Sequence, residues 1–268
     1  MMNIKGIILD WAGTIVDFGS LAPMGAFVDL FARHRVEISI AQARVPMGLP
    51  KIDHIMALGT LPDVALQWQQ QQGRSFQYQD AQNLLQEFEP MSAQAAMDRS
   101  AFIPGFMAVY QSLKSQGMRF ATTTGYTRKI MTPLIQKACD QGFEPSLVIC
   151  CDDVVRSRPD PMGVQLCLKA MHLENHAHLA IKVDDTAPGL SEGLAAGCWT
   201  VGVAASGNAL GWELHEWESA SEDEKSQTLI PAAAQLQAAG AHEVIDSVAQ
   251  LPLAIARIEQ RMAQGETP

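Results

Sequence analysis

Short apolar runs, each bounded by turn residues, alternate over most of the chain with stretches in which apolar residues recur every three or four positions. The short runs are residues 4–9, 118–124, 146–150, 178–183 and 198–203, and they are rich in β-branched side chains. A strand that is apolar throughout, rather than alternately, is one covered on both faces, as in a parallel sheet. The intervening stretches predict helices. Pro104-Gly105 opens one in which Phe106, Val109, Tyr110 and Leu113 share a face. Thr127 is placed to cap another running toward Ala138, and two more follow Pro161 and Pro188. This alternation predicts an α/β fold with a doubly wound parallel sheet.

Residues 20–99 break the alternation. Helical periodicity repeats at 24–34, 41–44, 51–58, 62–72 and 80–99, with almost no strand pattern between. The pattern predicts an all-helical cap domain over residues 20–99. It is inserted after the first strand of an α/β core domain made of residues 1–19 and 100–268. A cap there lies over the C-terminal ends of the strands, where chemistry collects in open α/β sheets. It can exclude water and add residues of its own. Phe27, Leu30, Phe31 and Trp68 make the cap apolar enough to predict a homodimer formed through it.

Composition narrows the class. The 268 residues are 47% hydrophobic, enough to bury a core for a domain with a cap. No apolar run approaches the roughly 20 residues that span a bilayer, and the first residues lack the pattern of a signal peptide. Cys139, Cys150, Cys151, Cys167 and Cys198 form no CxxC pair. A reduced, cytoplasmic protein with no zinc site and no membrane partner is expected. The formal net charge of −10 comes without a basic stripe, so no nucleic-acid partner is expected. An anionic substrate must then be held by a few local positive groups. His172, His176, His178, His215 and His242 read as solvated or structural.

The first apolar run ends in a carboxylate, Asp10, followed by the small-residue turn Ala12-Gly13-Thr14. Alone, an acid at a strand-to-helix turn is as well explained as a helix cap. Its companions change the weighing. Thr124-Gly125 follows a second strand, where a hydroxyl and backbone N–H groups can cradle phosphate. Arg158 precedes a helix and carries a guanidinium suited to two phosphoryl oxygens. Asp184-Asp185-Thr186 ends a fourth strand, and two adjacent acids there are better explained by magnesium than as surface decoration. In the cap, Lys51 sits between a Met47-Gly48-Leu49-Pro50 turn and a predicted helix start, with His54 on the same face. A single lysine is ordinarily solvated. Held near magnesium or other cationic groups, or desolvated by a closing cap, this one would have a partly neutral amine able to attack an aldehyde and form an imine.

In chain order these sites resemble the four motifs of the haloacid dehalogenase superfamily. The resemblance implies a nucleophilic Asp10 and phosphate contacts from Thr124, the Gly125 amide and Arg158. It also implies magnesium held by Asp10, the backbone carbonyl of Ala12 and an acid of the fourth motif. Two departures matter. Phosphatases of the superfamily carry a second Asp where this chain has Ala12, so the acid that protonates an alkoxide leaving group is missing. In the fourth motif Asp184 stands in place of a Gly and Gly189 in place of the last Asp. Asp185 is then the expected direct ligand. Asp184 either reaches the metal through water or orients Lys182.

Asp-Trp-Ala-Gly-Thr at 10–14, Met-Gly-Leu-x-Lys-Ile-Asp-His at 47–54, Thr-Thr-Gly-Tyr-Thr-Arg at 123–128 and Arg-Pro-x-Pro at 158–161 resemble one family in particular, the phosphonoacetaldehyde hydrolases. The resemblance covers the cap as well as the core. It implies hydrolysis of the carbon–phosphorus bond of phosphonoacetaldehyde to acetaldehyde and phosphate, in 2-aminoethylphosphonate degradation, through a Lys51 imine and an Asp10 aspartyl-phosphate. His54 or a water would move protons. Met47 would either pack beside the imine, handling protons or positioning it, or serve as a core methionine; Tyr126 would either place its hydroxyl near the substrate or pack against the cap. Ser20 stands where relatives often carry Cys. Chemical logic agrees. Breaking a carbon–phosphorus bond expels a carbanion, which an adjacent imine can accept as an enamine, so no acid is needed at Ala12. A phosphate-ester phosphatase or phosphomutase would lack that acid. A metal-free dehalogenase would not need Asp184-Asp185 or Arg158. An inactive binding module would be expected to have lost Asp10 or Lys51.

Overall fold

The computed structural model describes residues 3–268. Six strands form one sheet: β1 (Gly6–Leu9), β2 (Arg119–Thr123), β3 (Val148–Ile149), β4 (Ala180–Asp184), β5 (Trp199–Val203) and β6 (Glu243–Ile245). Their spatial order is β3-β2-β1-β4-β5-β6, and each neighbouring pair is parallel. Five helices lie between β1 and the rest of the core: α1 (Ala22–Arg33), α2 (Ile40–Arg44), α3 (Lys51–Gly59), α4 (Pro62–Gln72) and α5 (Tyr78–Asp98). The remaining helices are α6 (Phe106–Ser115), α7 (Arg128–Asp140), α8 (Met162–Ala170), α9 (Ala187–Ala195), α10 (Leu214–Ser219), α11 (Glu222–Ala238) and α12 (Leu251–Ala263). This is the doubly wound α/β core with a helical cap. Among the described residues no helix is long and apolar enough to cross a membrane.

Every residue of β1 is buried. Ile7 and Leu9 belong to the larger apolar cluster, while Ile8, facing the other way, packs with Val164 and Leu168 of α8. The pleat therefore sends alternate side chains into two separate cores, and a continuous apolar run satisfies both. The larger cluster continues into the cap through Phe27, Leu30, Phe31, Leu84 and Phe88. Phe27 of α1 and Phe88 of α5 stack with ring centroids 4.2 Å apart. Each buried ring contributes about 2–3 kcal/mol, so cap and sheet are held by one shared interior.

Several expectations need correction. The run at 178–183 begins as strand only at Ala180, because Ala177–Leu179 make a 3₁₀ turn. The run at 146–150 pairs over Val148–Ile149 alone. Pro188 does not precede its helix but lies within the first turn of α9, where a missing N–H costs nothing. Thr127 does occupy the N-cap position of α7, yet its hydroxyl makes no cap bond; it donates to Glu89 of the cap at 3.2 Å. Finally, β6 and helices α10 to α12 lie in a region where the sequence reading identified no element. β6 has three residues, two of them only half buried, too short for a strand pattern to register.

Candidate active site

The sheet register brings the chemistry together. Leu9 pairs with Thr122 on one side and Val183 on the other. The next residues, Asp10, Thr123 and Asp184, therefore end three adjacent strands at one level. This is the crevice at which parallel sheets bind ligands. Asp10, Asp184 and Asp185 are all buried, and one carboxylate oxygen from each lies within 4.8 Å of the others. Burial and the charge of Asp184 raise Asp10 to about 6, against the opposing pull of Arg158. Burial and the charges of Asp10 and Asp184 hold Asp185 well above the usual carboxylate range. Asp184 instead is lowered by its cationic neighbours, Lys182 and Arg158, which outweigh its burial.

Hydrogen bonds explain the different behaviour of the two adjacent acids. Asp184 accepts from the Lys182 ammonium at 2.7 Å, from the Thr186 hydroxyl at 2.7 Å and from the Thr186 N–H at 3.0 Å. Lys182 stands two residues earlier on the same face of β4, so the strand itself presents the pair. Asp185 accepts the Asn208 N–H at 2.7 Å and the Thr14 hydroxyl at 3.4 Å, and no cation forms an ion pair with it among the described residues. Three buried carboxylates that repel one another, with Arg158 and Lys182 beside them, fit a hard divalent cation bound by oxygens.

Arg158 is 5% exposed. Its Nη2 donates to Asp10 at 2.8 Å and to the Thr123 carbonyl and hydroxyl, each at 2.9 Å. Its Nε donates to Glu192 at 3.1 Å, and Asp184 lies 3.3 Å from Nη2. The surrounding carboxylates raise its pKa in spite of burial, so it is a permanent cation.

The cap closes over this floor. A narrow cleft is lined from the core by Asp10, Ala12, Thr124, Gly125, Tyr126, Arg158 and Asp185, and from the cap by Met47 and Lys51. Ser20, Pro23, Gly48 and Thr186 complete it; apart from Ser20, nothing in the sequence reading picked these out as lining residues. Two glycines permit the approach. Gly48 has φ +89°, and a Cβ on it would stand 2.3 Å from the Thr186 hydroxyl oxygen; a Cβ on Gly125 would stand 3.0 Å from the Leu49 carbonyl oxygen.

Lys51 opens α3 and is 4% exposed. Its Nζ lies 4.8 Å from the centre of the Tyr126 ring, 5.6 Å from that of Phe27 and 4.0 Å from the Met47 sulfur. Among the described residues no carboxylate is within ion-pair distance of it. Aromatic faces and a thioether stabilise an ammonium less than water does, and burial lowers Lys51 to about 8. The Tyr126 hydroxyl is buried next to that of Ser92, and burial pushes it well above its usual range; neither hydroxyl finds a well-formed hydrogen bond within the protein.

His54 is placed differently. It lies behind the cleft and not in its lining, stacked on Phe27 at 3.9 Å. Its Nε2 donates to the Ala43 carbonyl at 2.9 Å. Burial and the nearby Lys51 hold its pKa well below the ordinary value, so the ring is neutral. Its buried Nδ1 has no hydrogen-bond partner among the described residues. Glu192 and Asn208 were not recognised in the sequence. Glu192 is 3% exposed, yet in Ser191-Glu192-Gly193 it reads as an ordinary solvated helix acid.

A parallel sheet with carboxylates at its strand ends, under a helical cap, defines a hydrolase of the haloacid dehalogenase-like class, and the model of that family matches residues 4–197. Phosphonoacetaldehyde hydrolases from Paraburkholderia xenovorans and Salmonella agona are 44% and 43% identical to this chain, over all of both chains in each case. The crystal structure of a phosphonoacetaldehyde hydrolase-like protein from Oleispira antarctica superposes with a TM-score of 0.96 at 40% identity, covering 99% of this chain and 96% of that one. A β-phosphoglucomutase from Clostridium difficile shares the fold alone, with a TM-score of 0.67 at 13% identity. The chain belongs to the phosphonoacetaldehyde hydrolase family of haloacid dehalogenase-like hydrolases.

Proposed function

We propose that this chain hydrolyses the carbon–phosphorus bond of phosphonoacetaldehyde, giving acetaldehyde and phosphate. The observation that carries the reading is Lys51. A buried amine with no carboxylate within ion-pair distance among the described residues, lowered to about 8, shares a small cleft with Asp10 and Arg158. At neutral pH roughly a tenth of such an amine is uncharged, and that fraction is nucleophilic.

The Lys51 nitrogen adds to the aldehyde carbon, and loss of water leaves a protonated imine. A carboxylate oxygen of Asp10 then attacks phosphorus in line. The carbon–phosphorus bond breaks, and its electron pair moves through the new C=C bond to the imine nitrogen. The products are an enamine on Lys51 and an acyl phosphate on Asp10. One water hydrolyses the acyl phosphate. Protonation of the enamine carbon restores an imine, and a second water releases acetaldehyde and the free amine. One water is lost and two are consumed, so the balance is one water per turnover. Arg158, with the Thr124 hydroxyl and the Gly125 amide, is placed to hold the phosphonate oxygens. Tyr126 places its ring under the amine, and Met47 packs beside it. His54, neutral and outside the lining, suits orienting Phe27 and α3 better than direct proton transfer, which then falls to water. Asp10, Asp185 and the Ala12 carbonyl would hold magnesium, with Asp184 beside them. Such an ion would neutralise charge on the transferring phosphoryl group.

Incubation with phosphonoacetaldehyde and sodium borohydride, followed by peptide mass spectrometry, is expected to place a reduced adduct on Lys51 that is absent from Lys51→Arg. No adduct, with phosphate released from simple phosphate esters, would sink the reading and leave Asp10 as the nucleophile of a different phosphohydrolase.

A further inference from the structure

We infer that Glu192 is a positioning residue: it holds Arg158 at Nε so that Nη2 stays turned toward the phosphoryl group at Asp10. The inference rests on the reading above and adds to it a residue outside the cleft lining.

The geometry is specific. One Glu192 oxygen, Oε2, accepts from Arg158 Nε at 3.1 Å and from the Thr123 hydroxyl at 2.9 Å. That same hydroxyl lies 2.9 Å from Arg158 Nη2. Glu192, Thr123 and Arg158 thus close a ring of contacts at the end of β2, wholly buried. The other carboxylate oxygen is wedged against α8, where a Cβ on Gly163 would stand 2.7 Å from it. Its two hydrogen bonds through Oε2 hold the carboxylate against Thr123 and Arg158.

The arrangement answers a problem that the chemistry creates. Arg158 donates to Asp10, the group that must attack phosphorus. Nη2 already reaches Asp10 and lies 3.3 Å from Asp184, so without an anion on Nε the whole guanidinium would be drawn further onto these two carboxylates. A planar guanidinium holds its donors in a rigid fork. An anion fixed on Nε sets the plane of the group and takes up part of its charge. Nη2 can then exchange Asp10 for substrate oxygens while the group stays in place. Loss of Glu192 would therefore slow the phosphoryl step and leave imine formation on the cap side untouched.

Borohydride trapping reads the two steps separately. An imine reduced before bond cleavage leaves a phosphonoethyl group on Lys51, and one reduced after cleavage leaves an ethyl group. In Glu192→Ala, kcat is expected to fall about a hundredfold, and the trapped adduct is expected to shift from ethyl toward phosphonoethyl at unchanged total yield. Glu192→Gln keeps an oxygen for Nε and should recover most of kcat and the ethyl adduct. Orthophosphate binding, titrated calorimetrically with magnesium present, gives a readout that does not depend on the imine. It should weaken about tenfold in Glu192→Ala and far less in Glu192→Gln. A wild-type adduct ratio and wild-type phosphate affinity in Glu192→Ala would overturn the inference. So would loss of both adducts in Glu192→Ala and Glu192→Gln alike, which marks a purely structural role. If wild-type protein traps no adduct, the imine reading fails by itself, and the phosphate titration still decides the role of Glu192.

Discussion

Lys51 shows how one residue can cost stability for reactivity. Its ammonium is buried among aromatic faces, and burial takes its pKa from 10.5 to about 8. The folded state therefore binds this proton less tightly than the unfolded chain does. Below about pH 8 the amine is charged in both states, and folding carries the whole penalty. Between about pH 8 and 10.5 the unfolded chain holds the extra proton, so stability rises with pH. Above that range the penalty is gone. At 1.36 kcal/mol for each unit, it is about 3 kcal/mol at neutral pH. Lys51→Met keeps the length and apolar stem without the charge. It is expected to be inactive yet more stable than wild type by up to about 3 kcal/mol at pH 7, with the advantage shrinking as pH approaches 10.5. Urea unfolding at a series of pH values checks this, and a Lys51→Met protein less stable than wild type at pH 7 would contradict the desolvation argument.

Among the elements, the turn joining α2 to α3 brings cap residues to the cleft. It carries Met47 and Gly48 and delivers Lys51 at the first position of α3. Just before it, Arg44 at the end of α2 donates to the Gly19, Asn208 and Gly211 carbonyls at 3.1–3.2 Å, pinning the turn to the core. Gly48 takes a left-handed conformation with no space for a Cβ beside Thr186. Gly48→Ala must therefore strain the backbone and also lift the turn from α9. A displacement of even about 1 Å at Lys51 can cost about a hundredfold in rate. Gly48→Ala is expected to lose at least tenfold in kcat/KM and to trap less imine, while its thermal unfolding shifts little, because the helices behind the turn keep their packing. Retained kcat/KM would show that the close approach is dispensable. Such seams also mark what could be read from the sequence. The strands that carry Asp10, Thr124 and Asp185 were legible because burial on both faces leaves a continuous apolar run. The cap helices were legible through their 3.6-residue period. Thr127 misled because a hydroxyl at an N-cap position has a partner in Glu89 of the cap, contributed from elsewhere in the chain. β6 escaped because three edge residues, two of them half buried, carry no period. Glu192 escaped because nothing local distinguishes a solvated helix acid from one whose partners, Thr123 and Arg158, lie far along the chain.

For the whole molecule, the excess of acids over bases, 29 against 19, is carried into its interior. The site gathers Asp10, Asp184, Asp185 and Glu192 around Arg158 and Lys182, so the fold stores repulsion that a divalent cation would relieve. The sign of the pH dependence follows. Asp10 is raised to about 6 and Asp185 well above its ordinary 3.8, so the folded state holds protons that the unfolded chain has released. The stability this contributes is full below about pH 4 and is lost as pH rises through 6 and above. Asp17, also raised to about 6 by burial where it accepts the N–H groups that open α1, acts in the same direction. The slope of the metal-free protein alone therefore does not isolate the cluster; the difference between samples with magnesium and with chelator does. Magnesium competes with protons for the same oxygens. Its stabilising effect, about 2.7 kcal/mol at a hundredfold excess over Kd, should be small at about pH 5 and grow toward pH 7.5. For a chain of this size that is a rise in Tm of roughly 5 °C or more. Asp185→Asn removes both a ligand charge and the repulsion. It should be more stable than wild type in chelator at neutral pH and gain little from magnesium. A magnesium shift independent of pH, or one kept in full by Asp185→Asn, would place the ion elsewhere and leave the carboxylate cluster without the role proposed for it.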